Sequence, residues 1–122
     1  MELKNIETAD CCVESTSLIE NELRIKFETI YDLEKKEFIE NVELVIYNWS
    51  AFDAKVYIAN APGEPFIEKN LSTDNMEFFD LVQTINKEGD NVLLQGFSRE
   101  SGNWLEYYFD KCDFYFEQRG DS

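Results

Sequence analysis

Three cysteines, 26 Asp and Glu side chains and no histidine define the chemistry open to this chain. Without histidine, the commonest general base and the commonest transition-metal ligand are both missing. Ser-His-Asp and Cys-His nucleophile arrangements are therefore excluded. Cys11 and Cys12 are adjacent and Cys112 lies far away in sequence, which is neither zinc-knuckle nor thioredoxin-like spacing. Reduced, buried structural cysteines without a redox role are expected. Gly63, Gly89, Gly96, Gly102 and Gly120 are scattered and form no phosphate-cradling loop. Paired carboxylates could in principle support glycoside hydrolysis, but with so many acids some pair will always fall at a suitable spacing. The acidic loops around Lys87-Glu88-Gly89-Asp90 and Asp110-Lys111-Cys112-Asp113 lack the regular oxygen ligands of a calcium loop. The expectation is a protein that is not an enzyme and carries no metal and no cofactor.

A binding surface is the better use of these side chains. Along Trp104 to Asp110, alternation places Leu105, Tyr107 and Phe109 inward and Trp104, Glu106, Tyr108 and Asp110 outward. The opposite assignment would bury Glu106 without a partner. On the last strand, Cys112, Phe114 and Phe116 read as inward, which turns Asp113, Tyr115 and Glu117 outward on the same side. Trp104, Glu106, Tyr108, Asp110, Asp113, Tyr115 and Glu117 are thus the expected partner-binding residues. Rings would supply buried area and carboxylates would meet Arg or Lys. A weaker candidate is the acidic stretch Asp74, Glu77 and Asp80, with Phe78 or Phe79 exposed beside it.

The charge balance points the same way. Only 11 Lys and Arg oppose the acids, giving a formal net charge of −15. Such a field repels nucleic-acid phosphates and anionic lipid, and it speeds encounter with a basic protein. Direct nucleic-acid or membrane binding is not expected. The start Met1-Glu2-Leu3-Lys4-Asn5-Ile6-Glu7 lacks the basic and apolar segments of a secretory signal, and no window is long and apolar enough to span a bilayer. The expectation is a cytoplasmic protein.

The elements that must hold these residues are strands. At 122 residues and 43% hydrophobic, with 10 Phe, 6 Tyr and 2 Trp, the chain can build one core, so residues 1–122 are read as a single domain. Leu23, Ile25 and Phe27 alternate with Arg24, Lys26 and Glu28 in the stretch Glu22 to Tyr31. Asn41 to Tyr47 is apolar on both sides, as for a central strand. Asn48-Trp49-Ser50 reads as the turn of a hairpin into a strand at Phe52 to Ile58. Asn60 to Pro65 is a breaker cluster, and Leu33 to Ile39 could hold a helical turn. Asp74 to Ile85 reads as a short helical turn entering a strand. Leu81 to Asn86, Val92 to Ser98, Trp104 to Asp110 and Cys112 to Glu117 follow with short links, and one N-terminal strand lies within Asp10 to Ile19. The expected fold is mainly β: an antiparallel two-sheet sandwich or partly closed barrel of seven or eight strands, with room for one short helix.

The segment Leu94-Gln95-Gly96-Phe97-Ser98-Arg99-Glu100-Ser101-Gly102-Asn103-Trp104-Leu105-Glu106-Tyr107, together with Val42-Glu43-Leu44-Val45-Ile46-Tyr47-Asn48-Trp49, resembles small bacterial immunity-type proteins. These include immunity proteins of contact-dependent growth inhibition. The resemblance covers about half the chain. It implies a protein that binds a cognate toxin and covers its active site; the acidic composition suits a basic toxin domain, a nuclease above all. It transfers no functional residue by position. Two further readings stay open: a β-sandwich module that binds a small molecule or glycan through Trp49, Trp104 and nearby tyrosines, and an acidic mimic of nucleic acid.

Overall fold

A computed structural model describes residues 6–7, 11–59 and 61–118. Ten antiparallel strands form among them: β1 (Ile6–Glu7), β2 (Cys11–Ile19), β3 (Glu22–Asp32), β4 (Glu37–Tyr47), β5 (Ala51–Ile58), β6 (Ile67–Leu71), β7 (Phe79–Glu88), β8 (Asn91–Ser98), β9 (Trp104–Asp110) and β10 (Asp113–Gln118). Period-two patterning explains most of them. Leu23, Ile25 and Phe27 of β3 face Ile46, Leu44 and Val42 of β4 across the ladder, and all six are buried. Leu105, Tyr107 and Phe109 of β9 are likewise inaccessible.

The strands follow one path, β10-β4-β3-β2-β7-β8-β9-β5-β6, with β1 on β3. β2 is the joint. From Val13 to Ile19 it pairs with β3, whereas Cys11 and Cys12 pair with β7. Past Phe27, β3 has lost β2 as a neighbour, and β1 takes its place at Tyr31 and Asp32. The register shift between Val13 and Ser15 bends β2 from one half to the other. Such a bulge leaves carbonyls unpaired. Arg99 donates to two of them, Nη2 to Val13 O and Nη1 to Glu14 O at 3.3 Å, while its Nε donates to Asp80 Oδ1 at 3.2 Å. The apolar faces of both halves merge in one core cluster, from Leu23, Phe27 and Leu44 to Phe79, Leu94 and Tyr107.

The antiparallel all-β expectation holds, with ten strands in place of seven or eight. Among the described residues no helix forms, so none is long and apolar enough to cross a membrane. Local hydrogen bonds explain why both expected helical turns are absent. Asp32 Oδ1 accepts from the N–H groups of Glu34 and Lys35 at 2.9 and 3.1 Å, and Lys36 takes a left-handed φ of 55°, closing a tight turn straight into β4. Asn75 Oδ1 accepts from Ser72 N at 2.6 Å, and Phe78 N donates to Glu100 Oε1 at 2.8 Å. Asn75 N also donates to Ser72 O at 3.2 Å, so a tight turn closes at 72–75 and residues 76–78 run on from it into β7 without a helical turn.

The expected hairpin through Asn48-Trp49-Ser50 is also corrected. β4 pairs with β3 and β10, and β5 pairs with β9 and β6, so this link crosses between the halves. Asn48 has φ 56°, Ser50 N donates to Asp110 O at 2.8 Å, and Trp49 packs on Phe109 and Phe52 with centroids 5.0 and 5.5 Å apart. Packing the half-buried indole on Phe52 and Phe109 outweighs a short-range hairpin. The two β7–β8 and β8–β9 hairpins form as expected.

Two substitutions probe this frame. Arg99→Met removes the donors of the β2 bend and is expected to cost about 1–2 kcal/mol. At Gly96, a Cβ would stand 2.0 Å from Leu81 O, so Gly96→Ala must displace the β7–β8 backbone. It is expected to cost at least about 1–3 kcal/mol, read as a lower urea midpoint with unchanged slope. A wild-type midpoint for either variant contradicts the corresponding contact.

Candidate functional site

On the outer face of the β9 half, side chains line up in rows across three strands. Tyr57, Trp104 and Phe97 form one row, Lys55, Glu106 and Gln95 the next, and Asp53, Tyr108 and Leu93 a third. This register follows from the inward set: once Leu105, Tyr107 and Phe109 are buried, pleating fixes Trp104, Glu106, Tyr108 and Asp110 on the other side. Tyr108 is 38% exposed, while Trp104 and Glu106 are half-buried by their cross-strand neighbours rather than covered by another layer.

Glu106 is the organising acid of this face. Its Oε1 accepts the Tyr57 hydroxyl at 2.9 Å, and its Oε2 accepts Gln95 Nε2 and, at 3.2 Å, Trp104 Nε1. Thr84 Oγ1 in turn donates to Gln95 Oε1 at 2.9 Å, which orients the amide. Burial alone would raise the Glu106 pKa. The bonds from Gln95, Tyr57 and Trp104, with the charge of Lys55, outweigh it and hold the carboxyl below the ordinary glutamate value. The Tyr57 phenol moves upward, first through burial and then through its bond to Glu106. The result is a fixed, ionised carboxylate whose hydrogen-bond donors are all neutral.

Beside it lies a cavity of about 600 Å³ walled by Tyr57, Phe66, Phe97 and Trp104, with Glu106 at its margin and the β8–β9 turn at Gly102 and Asn103 closing one end. Phe97 and Trp104 meet nearly edge to face, with centroids 5.3 Å apart and planes at 84°. Phe66 and Phe97 are 67% and 43% exposed. Sequence reasoning found Trp104 and Glu106 but missed Tyr57, Phe66, Phe97 and Gln95. Phe97 and Gln95 were within reach, since they alternate with the buried Leu94 and Gly96. Phe66 carried no such signal, because it lies in the loop before β6, outside any alternating stretch.

Asp113, Tyr115 and Glu117 do not share this face. β10 pairs with β4 at the other end of the sheet path, while β9 lies between β8 and β5. Their side chains do point outward, as alternation required, but over the β4 half. There Tyr115 meets Tyr47 at 5.9 Å and lies opposite Val45, and Glu117 lies opposite Glu43. The tight Asp110–Asp113 connection, with Lys111 at φ 51°, changes halves instead of making a hairpin. Lys111 N donates to Asn91 Oδ1 at 3.0 Å and Cys112 N to Asp90 O at 2.8 Å, which pins the corner. Asp110 and Asp113 flank that corner, and Asp113 Oδ2 accepts Asn48 Nδ2 at 3.3 Å. The expected seven-residue patch is therefore two patches.

Other candidates resolve differently. Trp49 lies on the core side of β5 and β9 and Trp104 on the outer side, so they cannot line one glycan site. In the Asp74, Glu77 and Asp80 stretch, Phe79 is buried and Phe78 half-buried. Glu77 instead fixes the β8–β9 turn, accepting Ser98 Oγ at 2.6 Å and Ser101 Oγ at 2.5 Å, and its carbonyl accepts the Tyr107 hydroxyl. Burial, reinforced by the charges of Glu100 and Glu77, raises the Tyr107 pKa strongly. No disulfide joins Cys11, Cys12 and Cys112; the first and last are buried, Cys12 is exposed, and burial raises the Cys112 thiol pKa. Among the described residues, no group of three or more acids and cysteines is placed to hold a metal ion.

Comparison with protein-family models, curated proteins and solved structures returns no match.

The hydrogen bonds at Glu106 make a signed prediction. A depressed folded-state pKa contributes stability above the glutamate pKa of the unfolded chain, and this contribution is lost as pH falls through the lower folded value. Carboxyl ¹³C NMR should show Glu106 titrating below ordinary glutamate, and Tyr57→Phe should move it upward. Titration at or above the ordinary value would contradict the network.

Proposed function

We propose that this chain is an immunity-type protein that binds a basic bacterial toxin domain, in particular a nuclease, and inactivates it by covering its active site. The observation that carries this reading is a fixed carboxylate among exposed aromatic rings on the outer face of β9, on a chain with net charge −15. Rings in a partly desolvated patch supply contact area, and acids around them select a cationic partner. The resemblance of the Leu94 to Tyr107 hairpin to immunity-type proteins supports the same assignment. In this reading the two halves of the folded sheet act as the layers of a sandwich, and the protein works in the cytoplasm, where an incoming toxin acts. The chain performs no chemistry itself; it excludes the toxin's substrate.

Titration of the toxin domain encoded beside this chain's gene tests the proposal. The chain is expected to abolish toxin activity at one-to-one stoichiometry. Its association rate constant is expected to fall by about 10-fold or more as salt rises from about 0.05 M to about 0.5 M. Charge reversals Glu106→Lys and Asp110→Lys are expected to weaken binding by about 10-fold each, with Asp113→Lys having a smaller effect because it lies beyond the corner. Binding that ignores both salt and these reversals would sink the assignment.

A further inference from the structure

Four aromatic rings beside one carboxylate is an arrangement with a narrow range of fitting ligands. Tyr57, Phe66, Phe97 and Trp104 come from three strands and the loop before β6, and the near-perpendicular Phe97 and Trp104 rings form a corner. Ring faces carry partial negative charge and attract cations. Phe66 and Phe97 are exposed apolar surface on a strongly acidic chain, and the cavity they wall is large enough for a long side chain.

The hydrogen bonds at Glu106 leave room for one more. Oε2 accepts from Gln95 and Trp104, whereas among the described residues Oε1 accepts only from Tyr57. A carboxylate oxygen can take two donors. The donors already present are neutral, so they position the charge without cancelling it. The nearby cation, Lys55, is engaged with Glu68 at 2.6 Å.

We propose that this cavity seats an arginine side chain of a protein partner, its guanidinium plane against the aromatic walls and one N–H donated to Glu106 Oε1. A guanidinium is planar, weakly hydrated and able to stack while donating in its plane, whereas an ammonium holds its water more tightly. A sugar fits less well. It needs donors and acceptors matched to several hydroxyls, and Phe66 and Phe97 offer neither. The inference rests on the reading of the chain as a binder of a basic protein and deepens it by naming the anchor residue.

The test uses the full chain and the Trp104 indole N–H signal in ¹H–¹⁵N NMR, identified by its loss in Trp104→Phe. N-acetyl-argininamide, its neutral isostere N-acetyl-citrullinamide and methyl glucoside are titrated in turn. The arginine compound is expected to shift the signal saturably, with the other two at least about 10-fold weaker, and Glu106→Gln is expected to weaken the arginine response by about 10-fold with the rest of the spectrum unchanged. Phe66→Ala, at an exposed position outside the core, is expected to weaken it several-fold. An equal response to citrullinamide, a stronger one to the sugar, or no saturable shift up to about 0.1 M overturns the inference. The two proposals fail separately. A toxin whose salt-dependent binding is untouched by Glu106→Gln and Phe66→Ala leaves the broader reading standing without this anchor; arginine binding without any toxin binding does the reverse.

Discussion

The change of partner within β2 is the constraint on which the rest of this structure depends. Nine strands form one sheet path, with β1 beside β3, only because β2 pairs with β7 through Cys11 and Cys12 and with β3 from Val13 onward. A flat sheet of this width would leave its apolar face wet; bending it at β2 lets the apolar residues of both halves join in one core cluster. The bend frees backbone carbonyls at Val13 and Glu14, and burying or half-burying them unpaired would be costly. Arg99, delivered by the β8–β9 turn, satisfies them. One basic residue thus ties the joint to the hairpin whose outer face carries Trp104 and Glu106, linking the two-residue β2–β7 seam to the candidate site.

How legible this was in the sequence depended on the range of the deciding interaction. β3, β8 and β9 could be read directly because their inward sets, Leu23-Ile25-Phe27, Val92-Leu94 and Leu105-Tyr107-Phe109, repeat every second residue. The 48–50 and 111–112 links could not. Both are short and polar like hairpin turns, but their course is set by distant partners: Trp49 against Phe109, Ser50 on Asp110, Lys111 on Asn91. The same distance effect divided the candidate surface. Alternation assigned the correct side to Asp113, Tyr115 and Glu117, yet it says nothing about which strand lies next door, and β10 lies beside β4. Strand β6 escaped notice because an exposed edge strand has no apolar alternation to betray it.

The core and the surface of the β9 half use aromatic residues for different ends. Inward, Phe52 and Phe109 stack at 4.7 Å with planes 6° apart, and Tyr107 meets Phe79 at 4.7 Å while its hydroxyl reaches the Glu77 carbonyl. These rings are fully committed to packing. Outward, Tyr57, Trp104 and Phe97 stand in one row with no layer above them, and the polar atoms of Tyr57 and Trp104 are both aimed at Glu106. Each outward ring is held by its strand and by a hydrogen bond or an edge contact. A partner would therefore meet rings whose freedom is already restricted, which lowers the ordering cost of association.

Such a large negative charge opposes compaction, and 11 Lys and Arg cannot neutralise 26 acids. The ion pairs that do form, such as Arg24 with Glu22 and Glu43 or Lys26 with Glu14, lie largely on the β3–β4 half and are partly exposed. Pairs of that kind contribute little net stability. On the β9 face Lys55 pairs with Glu68 at 2.6 Å, Glu106 is held ionised by three neutral donors with the charge of Lys55 beside it, and Asp53 and Asp110 stand nearby. A cationic surface laid over this face would relieve repulsion that the isolated chain leaves standing. The fold tolerates the repulsion because its aromatic core and its Arg99-fastened joint hold the two halves together without help from surface charge.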